Sequence, residues 1–108
     1  MIYYDVKKIG EDWLLAVYGG TRPHIGAVCI AKWQEGKANL LHSYQLPHHK
    51  EQEIAEEIAL EWCSKFQRTV TVTVGIHVPE ATPDIIQTLL VLTRKQLHLE
   101  IQTKSNNV

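Results

Sequence analysis

The sequence predicts an α+β domain in which two helices pack on an antiparallel meander of strands, in the order β-β-β-β-α-β-α with a further edge strand at the end. Three observations lead to this prediction. Short apolar runs separated by glycine-containing turns precede residue 47. Residues 54–66 carry apolar side chains at helical spacing, and residues 69–78 alternate between aliphatic and polar side chains. Strands that come first and helices that follow are typical of α+β folds.

The first four strands are predicted from local patterns. The second strand is apolar on both faces, so we expect it to be central or covered on both sides. A hairpin turn at Gly36 joins the third strand to the fourth. On the fourth strand, Leu40, His42 and Tyr44 are expected to share one face. The predicted strands are residues 2–9, 13–18, 25–33 and 40–46.

The first helix begins near Glu51, with acids in its first turns and bases in its last turn, which suits the helix dipole. Thr82 is a predicted N-cap for the second helix, and Pro83 suits its first position. Either an edge strand or a helix tail fits residues 97–102, and their alternation favours the strand. We predict one domain over residues 1–102 and a frayed tail over 103–108. The second helix is expected to bury Ile85, Ile86, Leu89, Leu90, Leu92 and Leu97.

Composition limits the classes of protein to which the chain can belong. The net charge of −1 over 108 residues argues against a general nucleic-acid binder. Apolar runs are too short to cross a membrane. Cys29 and Cys63 lie in apolar runs, which predicts buried free thiols and a cytoplasmic location. Three tryptophans and the apolar second strand exceed a minimal core, so one face is either a homodimer surface or additional core.

Polar residues cluster at three element ends that are distant in the sequence. Arg22 and His24 lie on a glycine- and proline-rich loop, residues 48–50 precede the first helix, and His77 follows Gly75 at a strand end. A helix N-terminus attracts anions because its N–H groups are unpaired and its dipole end is positive. If the three loops meet, they form a cradle for a phosphate or carboxylate. Otherwise they are ordinary polar loops in contact with water.

The same residues do not suggest catalysis. His48 and His49 are adjacent and would diverge, and no cysteine or carboxylate spacing suggests a metal site. Ser43 and Ser64 lie in no nucleophile motif, and the chain has neither a phosphate-binding loop nor a dinucleotide fingerprint. We therefore predict a binding protein with no catalytic and no metal-binding residues.

Three short motifs resemble one family. They are Gly20-x-x-x-His24-Ile25-Gly26-Ala27-Val28, His48-His49-Lys50-Glu51 at a helix start, and Gly75-Ile76-His77-Val78-x-x-Ala81-Thr82 before another helix. Together they look like the LpdD-like small D subunits of hydroxyarylic acid (gallate-type) decarboxylases, which are prenylated-flavin chaperone-like domains. Those domains are similar to proteasome assembly chaperones, which are small α+β dimers without catalytic machinery.

The resemblance implies a non-catalytic accessory protein that binds prenylated FMN or FMN transiently, or binds the catalytic subunit of a decarboxylase before its cofactor is loaded. His48 stands where the family motif has glycine, and a side chain at that position would narrow a flavin pocket or replace a contact to the phosphate. The alternative is a homodimeric assembly chaperone that binds no cofactor. Arg22 joins the predicted binding site on its charge alone, and the motif positions that complete the site are Gly20, His24, Gly26, His49, Lys50, Gly75 and His77.

Overall fold

The structure, a computed structural model, describes residues 1–47 and 50–106. Within these residues the chain forms five strands and two helices, which confirms the α+β class. The elements are β1 (Ile2–Ile9), β2 (Asp12–Gly20), β3 (Ala27–Gln34), β4 (Lys37–Gln45), α1 (Gln52–Phe66), β5 (Val70–His77) and α2 (Pro83–Ser105).

The five strands form one mixed sheet in the order β1-β2-β5-β3-β4. β5 lies between the two hairpins, parallel to β2 and antiparallel to β3. The predicted purely antiparallel meander is therefore wrong in this respect. Hairpin signals are local, whereas the position of β5 depends on pairing its two backbone edges with hairpins that are distant in the sequence, while its valine face packs in the core under α1. That position brings the loop after β2 and the end of β5 together, because Gly20 pairs with His77.

The core lies between the sheet and α1, which packs on β3, β4 and β5. An aromatic cluster closes one end of it, where the ring centroids of Trp13 and Phe66 lie 5.3 and 4.9 Å from that of Trp62. Both cysteines are buried free thiols, as predicted. The buried apolar residues are Trp13, Leu15, Val17, Ala27, Cys29, Ala31, Ile54, Ala55, Ile58, Ala59, Trp62, Cys63, Val70, Val72, Val74 and Leu97.

α2 differs most from the prediction. Residues 97–102 are helical, so the predicted last edge strand is wrong, and the helix continues to Ser105, inside the segment 103–108 that was predicted to be a tail. Leu97 and Ile101 are one helical turn apart and both face the core, which the alternating pattern concealed. Neither helix of the described chain is long and apolar enough to cross a membrane.

The apolar face of α2 is also narrower than predicted. Thr93 and Leu97 are the residues of this helix that are fully buried, while Ile85, Ile86 and Leu92 are 40%, 48% and 40% exposed. The helix lies along β1 and α1 rather than across the middle of the sheet, so one side of it faces solvent.

The pairing of β3 with β4 shifts register between Ile30 and Ala31. On one side of the shift Ile30 is opposite His42, and on the other Ala31 is opposite Leu40. Since paired residues share a face, His42 and Tyr44 lie on one face of the sheet and Leu40 on the other, where it packs on the core. The prediction that these three side chains share a face is wrong because of this irregularity.

Candidate functional site

The loops that carry the predicted site residues meet at one end of the sheet. The backbone N–H of Thr21 donates to the carbonyl of His77 at 2.9 Å, which ties the loop after β2 to the end of β5. A Cβ on Gly20 would overlap that same carbonyl oxygen, and a Cβ on Gly75 would overlap the carbonyl oxygen of His24. Both glycines are therefore required by close backbone approach.

His24 lies at the centre of this convergence. Its Nε2 is 3.0 Å from Oε2 of Glu51, and its Nδ1 is 2.9 Å from the carbonyl oxygen of Arg22. Both ring nitrogens thus lie within hydrogen-bond distance of an oxygen. The ring of His77 lies edge-on to His24, with the centroids 5.9 Å apart.

Glu51 is the functional residue that sequence reasoning missed. In the sequence it is one of several acids at the start of a helix, but its side chain is only 12% exposed and receives the backbone N–H of Ile76 at 3.1 Å. Gly26 makes room for it, since a Cβ there would crowd the Glu51 carboxylate. No feature of the local sequence separates Glu51 from the neighbouring glutamates, because its partners come from distant strands.

The predicted anion cradle at the start of α1 is therefore occupied from within the chain. The carboxylate of Glu51 supplies the negative charge beside His24, and the N–H of Gln52 donates to the side chain of Gln45 at 3.3 Å. A phosphate at that position would have to compete with a fixed internal carboxylate. In the part of the chain that the structure describes, the start of α1 thus already faces a carboxylate, and the phosphate or carboxylate site predicted there stays a prediction.

The remaining predicted residues are placed differently. Lys50 is exposed and lies at the rim of a pocket, whereas the exposed Arg22 is not part of its lining. His49, together with His48, lies outside the described residues. Of the predicted set, the structure brings together Gly20, His24, Gly26, Gly75 and His77 around Glu51.

A pocket of about 300 Å³ opens beside this cluster, between the start of α1, the end of β5 and the first half of α2. Its walls are mostly aliphatic, and Lys50, Glu51 and His77 contribute polar groups from the ends of the elements that meet there. This combination is typical of a site that binds an apolar body and orients it by a few polar contacts. The lining residues are Lys50, Glu51, Ile54, Ile76, His77, Val78, Ala81, Ile86, Leu89, Leu90 and Thr93.

Neither buried cysteine offers a reactive thiolate. Burial raises the pKa of the Cys29 thiol to about 12, with a smaller contribution from the nearby charge of Glu56. Burial also raises the pKa of Cys63. Neither cysteine is therefore a thiolate at neutral pH. Within residues 1–47 and 50–106, no group of three histidine, cysteine or acidic side chains is placed to hold a metal ion.

Comparison with known families bears directly on this site. A sequence model of the prenylated flavin chaperone LpdD-like domain matches residues 1–105, which is nearly the whole chain. The chain belongs to this family. The resemblance seen in the three short motifs is thereby confirmed, and the three motif loops of this LpdD-like domain are the ones that meet around Glu51.

The fold of the LpdD-like domain is shared with a solved chaperone complex for yeast 20S proteasome assembly. The TM-score is 0.58, with 17% identity over 92% of this chain and 93% of that chain. At this identity the likeness shows a common fold. No curated protein sequence matches the chain significantly.

Proposed function

We propose that this LpdD-like domain is a non-catalytic accessory protein of a prenylated-FMN-dependent aromatic acid decarboxylase. It binds the cofactor and transfers it to the apo-decarboxylase. The observation that carries the proposal is the aliphatic pocket beside the loop cluster, in a chain that belongs to a prenylated flavin chaperone family. The free buried thiols support placing this work in the cytoplasm.

The residues of the pocket fit the apolar part of such a cofactor. Ile54, Ile86, Leu89 and Leu90 offer aliphatic contact to a ring system that carries an isoprenoid-derived group. A volume of about 300 Å³ lies at the small end of ligand pockets, so it suits the ring system better than the whole nucleotide. When bound to the decarboxylase, the cofactor supplies the electron sink for loss of carbon dioxide.

The anionic end of the cofactor needs a different place from the one that the sequence suggested. The Glu51 carboxylate already faces His24 and the start of α1, so a phosphate there would meet a like charge. Lys50 and His77 line the pocket and are the groups that would hold the phosphate. Arg22 is exposed on the neighbouring loop and would add long-range attraction for an anion.

The test is a titration of the purified protein with FMN and with prenylated FMN, followed by flavin fluorescence. The two flavins share a phosphate, so tighter binding of the prenylated form would report on the aliphatic walls. Ile86→Glu places a charge in the pocket lining and is expected to weaken binding at least about tenfold, which corresponds to roughly 1.4 kcal/mol. Ile85→Glu is the matched control, because Ile85 is 40% exposed on the same helix turn and outside the lining.

Co-expression with a decarboxylase gives the functional readout. Wild type and Ile85→Glu should raise the fraction of decarboxylase that carries cofactor, and Ile86→Glu should not. Absence of flavin binding by the wild type, or equal binding by the two variants, would contradict the proposal.

The second candidate is a homodimeric assembly chaperone that binds no cofactor. It is favoured by the fold shared with the yeast proteasome assembly chaperone complex and by a sheet face that neither helix covers. In that case the wild type would form a dimer and bind the decarboxylase protein, while neither flavin would bind.

A further inference from the structure

Apolar side chains of α2 that do not reach the core form a stripe along the helix. Ile85, Leu92 and Leu99 are spaced seven residues apart and are 40%, 40% and 49% exposed. Seven residues make about two helical turns, so these side chains lie one above another on one flank. Leu89, which is partly buried at the edge of the pocket, lies between the first two.

The spacing of the stripe is the heptad repeat of a coiled coil. The d positions are Ile85, Leu92 and Leu99, and the a positions are Leu89, Gln96 and Thr103. These six residues, the seam, run over about 27 Å of helix. Gln96 lies at the central a position, where a single polar residue fixes the register and the number of helices in a coiled coil.

The seam lies on the flank of α2 that faces away from α1. On the α1 side, Arg94 Nε donates to Glu57 Oε2 at 2.7 Å and its Nη2 donates to Oε1 at 3.0 Å. Leu97 is fully buried and marks the direction of the core. At about 100° per residue, the middle of the seam is about 180° from Arg94 and about 120° from Leu97 around the helix axis. The seam is therefore an apolar flank that the described part of the chain leaves exposed.

We propose that a second copy of this chain pairs with α2 through the seam, as a short parallel coiled coil with the two-fold axis along the two helices. Each seam residue then meets its equivalent, so the three d layers are aliphatic and Gln96 bonds to Gln96 of the partner subunit. Arg94 and Leu97 hold the other sides of α2 against its own chain, so the pair is two-stranded. This pairing goes beyond the proposed function and is independent of flavin binding.

The charges beside the seam favour a second copy as the occupant. Lys95 is at a g position and exposed, and Glu100 is at the following e position and partly exposed. In a parallel pair, a g residue lies beside the e residue five positions later on the other helix. Lys95 therefore faces Glu100 of the partner subunit, and the two-fold axis repeats the contact. Gln96 Nε2 donates to Glu100 Oε2 at 3.1 Å and so orients this carboxylate beside the seam.

The same charges disfavour the antiparallel arrangement. Full overlap of two antiparallel seams would bring Lys95 beside Lys95 of the partner subunit. It would also place Glu100 opposite Ile86 of the partner subunit. Like charges in contact oppose association, whereas the parallel pair forms two opposite-charge contacts. The chain is therefore complementary to itself in the parallel direction.

The first experiment is sedimentation velocity from about 10 µM to about 1 mM, because so short a seam is expected to pair with a dissociation constant of roughly 100 µM. At the highest concentration the wild-type species should approach twice the mass of Leu92→Asp, which places a charge in the central d layer. Val91→Asp is the matched control, since Val91 is 58% exposed and outside the seam. Circular dichroism of both variants verifies that they fold.

Equal masses for the wild type and Leu92→Asp over this range would overturn the proposal. That outcome includes two proteins that associate equally through the uncovered face of the sheet, and it would leave the second candidate function intact.

The second experiment determines the direction of the helices by disulfide cross-linking. Both native thiols are buried, so an introduced cysteine is the reactive one. With diamide as the oxidant, Gln96→Cys and Thr103→Cys should each link two chains, because a parallel pair places each residue beside its equivalent. Val91→Cys is the control and should remain unlinked. In an antiparallel pair, Thr103 would lie about 27 Å from its equivalent, so linkage of Gln96→Cys without Thr103→Cys would overturn the parallel direction.

A charge exchange tests the flanking contacts. Lys95→Glu and Glu100→Lys should each raise the dissociation constant of the dimer about threefold or more, and the double variant should recover most of the loss. A double variant no better than the singles would overturn the proposed ion pair.

Ile85→Glu separates this proposal from the proposed function. It changes a d position outside the pocket lining, so it should weaken pairing in sedimentation while binding flavin as the wild type does. Unchanged sedimentation of Ile85→Glu would contradict the seam, whereas absence of flavin binding by the wild type would contradict the proposed function alone.

Discussion

The carboxylate of Glu51 connects three segments that are far apart in the sequence. It contacts His24 Nε2 at 3.0 Å and accepts the N–H of Ile76 at 3.1 Å, with only 12% of its side chain exposed. Its role is to hold the loop after β2 and the end of β5 against the start of α1. The loop geometry that shapes one end of the pocket therefore depends on this side chain.

Replacing Glu51 should weaken the fold through its contact with His24. We expect Glu51→Gln to lower the free energy of unfolding by about 1–2 kcal/mol, as for a hydrogen bond to a charged group that is largely shielded from water. The exposed Glu53 on the same helix is the control, and Glu53→Gln should change stability by less than about 0.5 kcal/mol. Urea unfolding of the two variants gives the comparison.

A double-mutant cycle with His24→Ala then isolates the pair. The two changes should be clearly less than additive, with a coupling energy of about 1 kcal/mol. Additive effects would show that Glu51 acts through its other contacts and not through His24.

The two thiols provide a test of the core. Because burial raises the pKa of Cys29 to about 12 and also raises that of Cys63, both remain neutral thiols at pH 8. Ellman's reagent should therefore find no reactive thiol in the native protein and two per chain after denaturation. Rapid reaction of either thiol in the native protein would mean that the core opens at that site.

At this scale the sequence predicted which loops matter but not what holds them together. Gly20, Gly75 and His24 stand out in short motifs, and the structure brings them into contact. Glu51 could not be distinguished from the other glutamates near the start of α1, because acidic residues at a helix start are normally explained by the helix dipole. Its importance comes from a carbonyl, an imidazole and an N–H that only the folded chain assembles.

Of the two helices, α2 has fewer buried residues for its length than α1. Leu97 is fully buried, and Leu99, two positions later, is 49% exposed. Leu97→Ala should reduce the free energy of unfolding by about 2–4 kcal/mol through lost burial and a cavity. Leu99→Ala should change it by less than about 0.5 kcal/mol, and thermal or urea unfolding of the pair provides the measurement. Similar losses in both variants would mean that α2 packs in a different rotation.

Strands with a strong local pattern could be predicted from sequence, as could α1. β5 alternates over its whole length, and α1 carries a complete apolar stripe, so one face of each had to be buried. The end of α2 could not be predicted in the same way. Leu97, Leu99 and Ile101 alternate as in a strand, and only packing against the core shows that Leu97 and Ile101 share a helical face.

For the whole molecule, the pocket and Ile30 lie on opposite sides of the sheet, because both helices pack on one side and Ile30 faces the other. We therefore expect Ile30→Asp to leave the affinity for prenylated FMN within about twofold of the wild type, while Ile86→Glu abolishes flavin binding. Fluorescence titration of both variants checks this, and loss of binding in Ile30→Asp would mean that the two sides of the sheet are coupled.

The overall topology was beyond local prediction, and the cause is the position of β5. β1 with β2 and β3 with β4 are hairpins that close over short turns. β2 and β3 make no direct pair, so β5 alone joins the two hairpins into one sheet. Nothing in residues 70–77 specifies which strands they will join.

The same position has a consequence for synthesis of the chain on the ribosome. Until residue 77 has emerged, β2 and β3 each present an unpaired edge, with an aliphatic face exposed beside it. Such edges favour pairing with other nascent chains. The sheet therefore cannot form completely until β5 is available. In a meander of the same length each strand pairs as it appears, so its edges stay unpaired for a shorter time. Pauses between the emergence of β3 and that of β5 would prolong the aggregation-prone stage, whereas pauses after residue 77 has emerged would not.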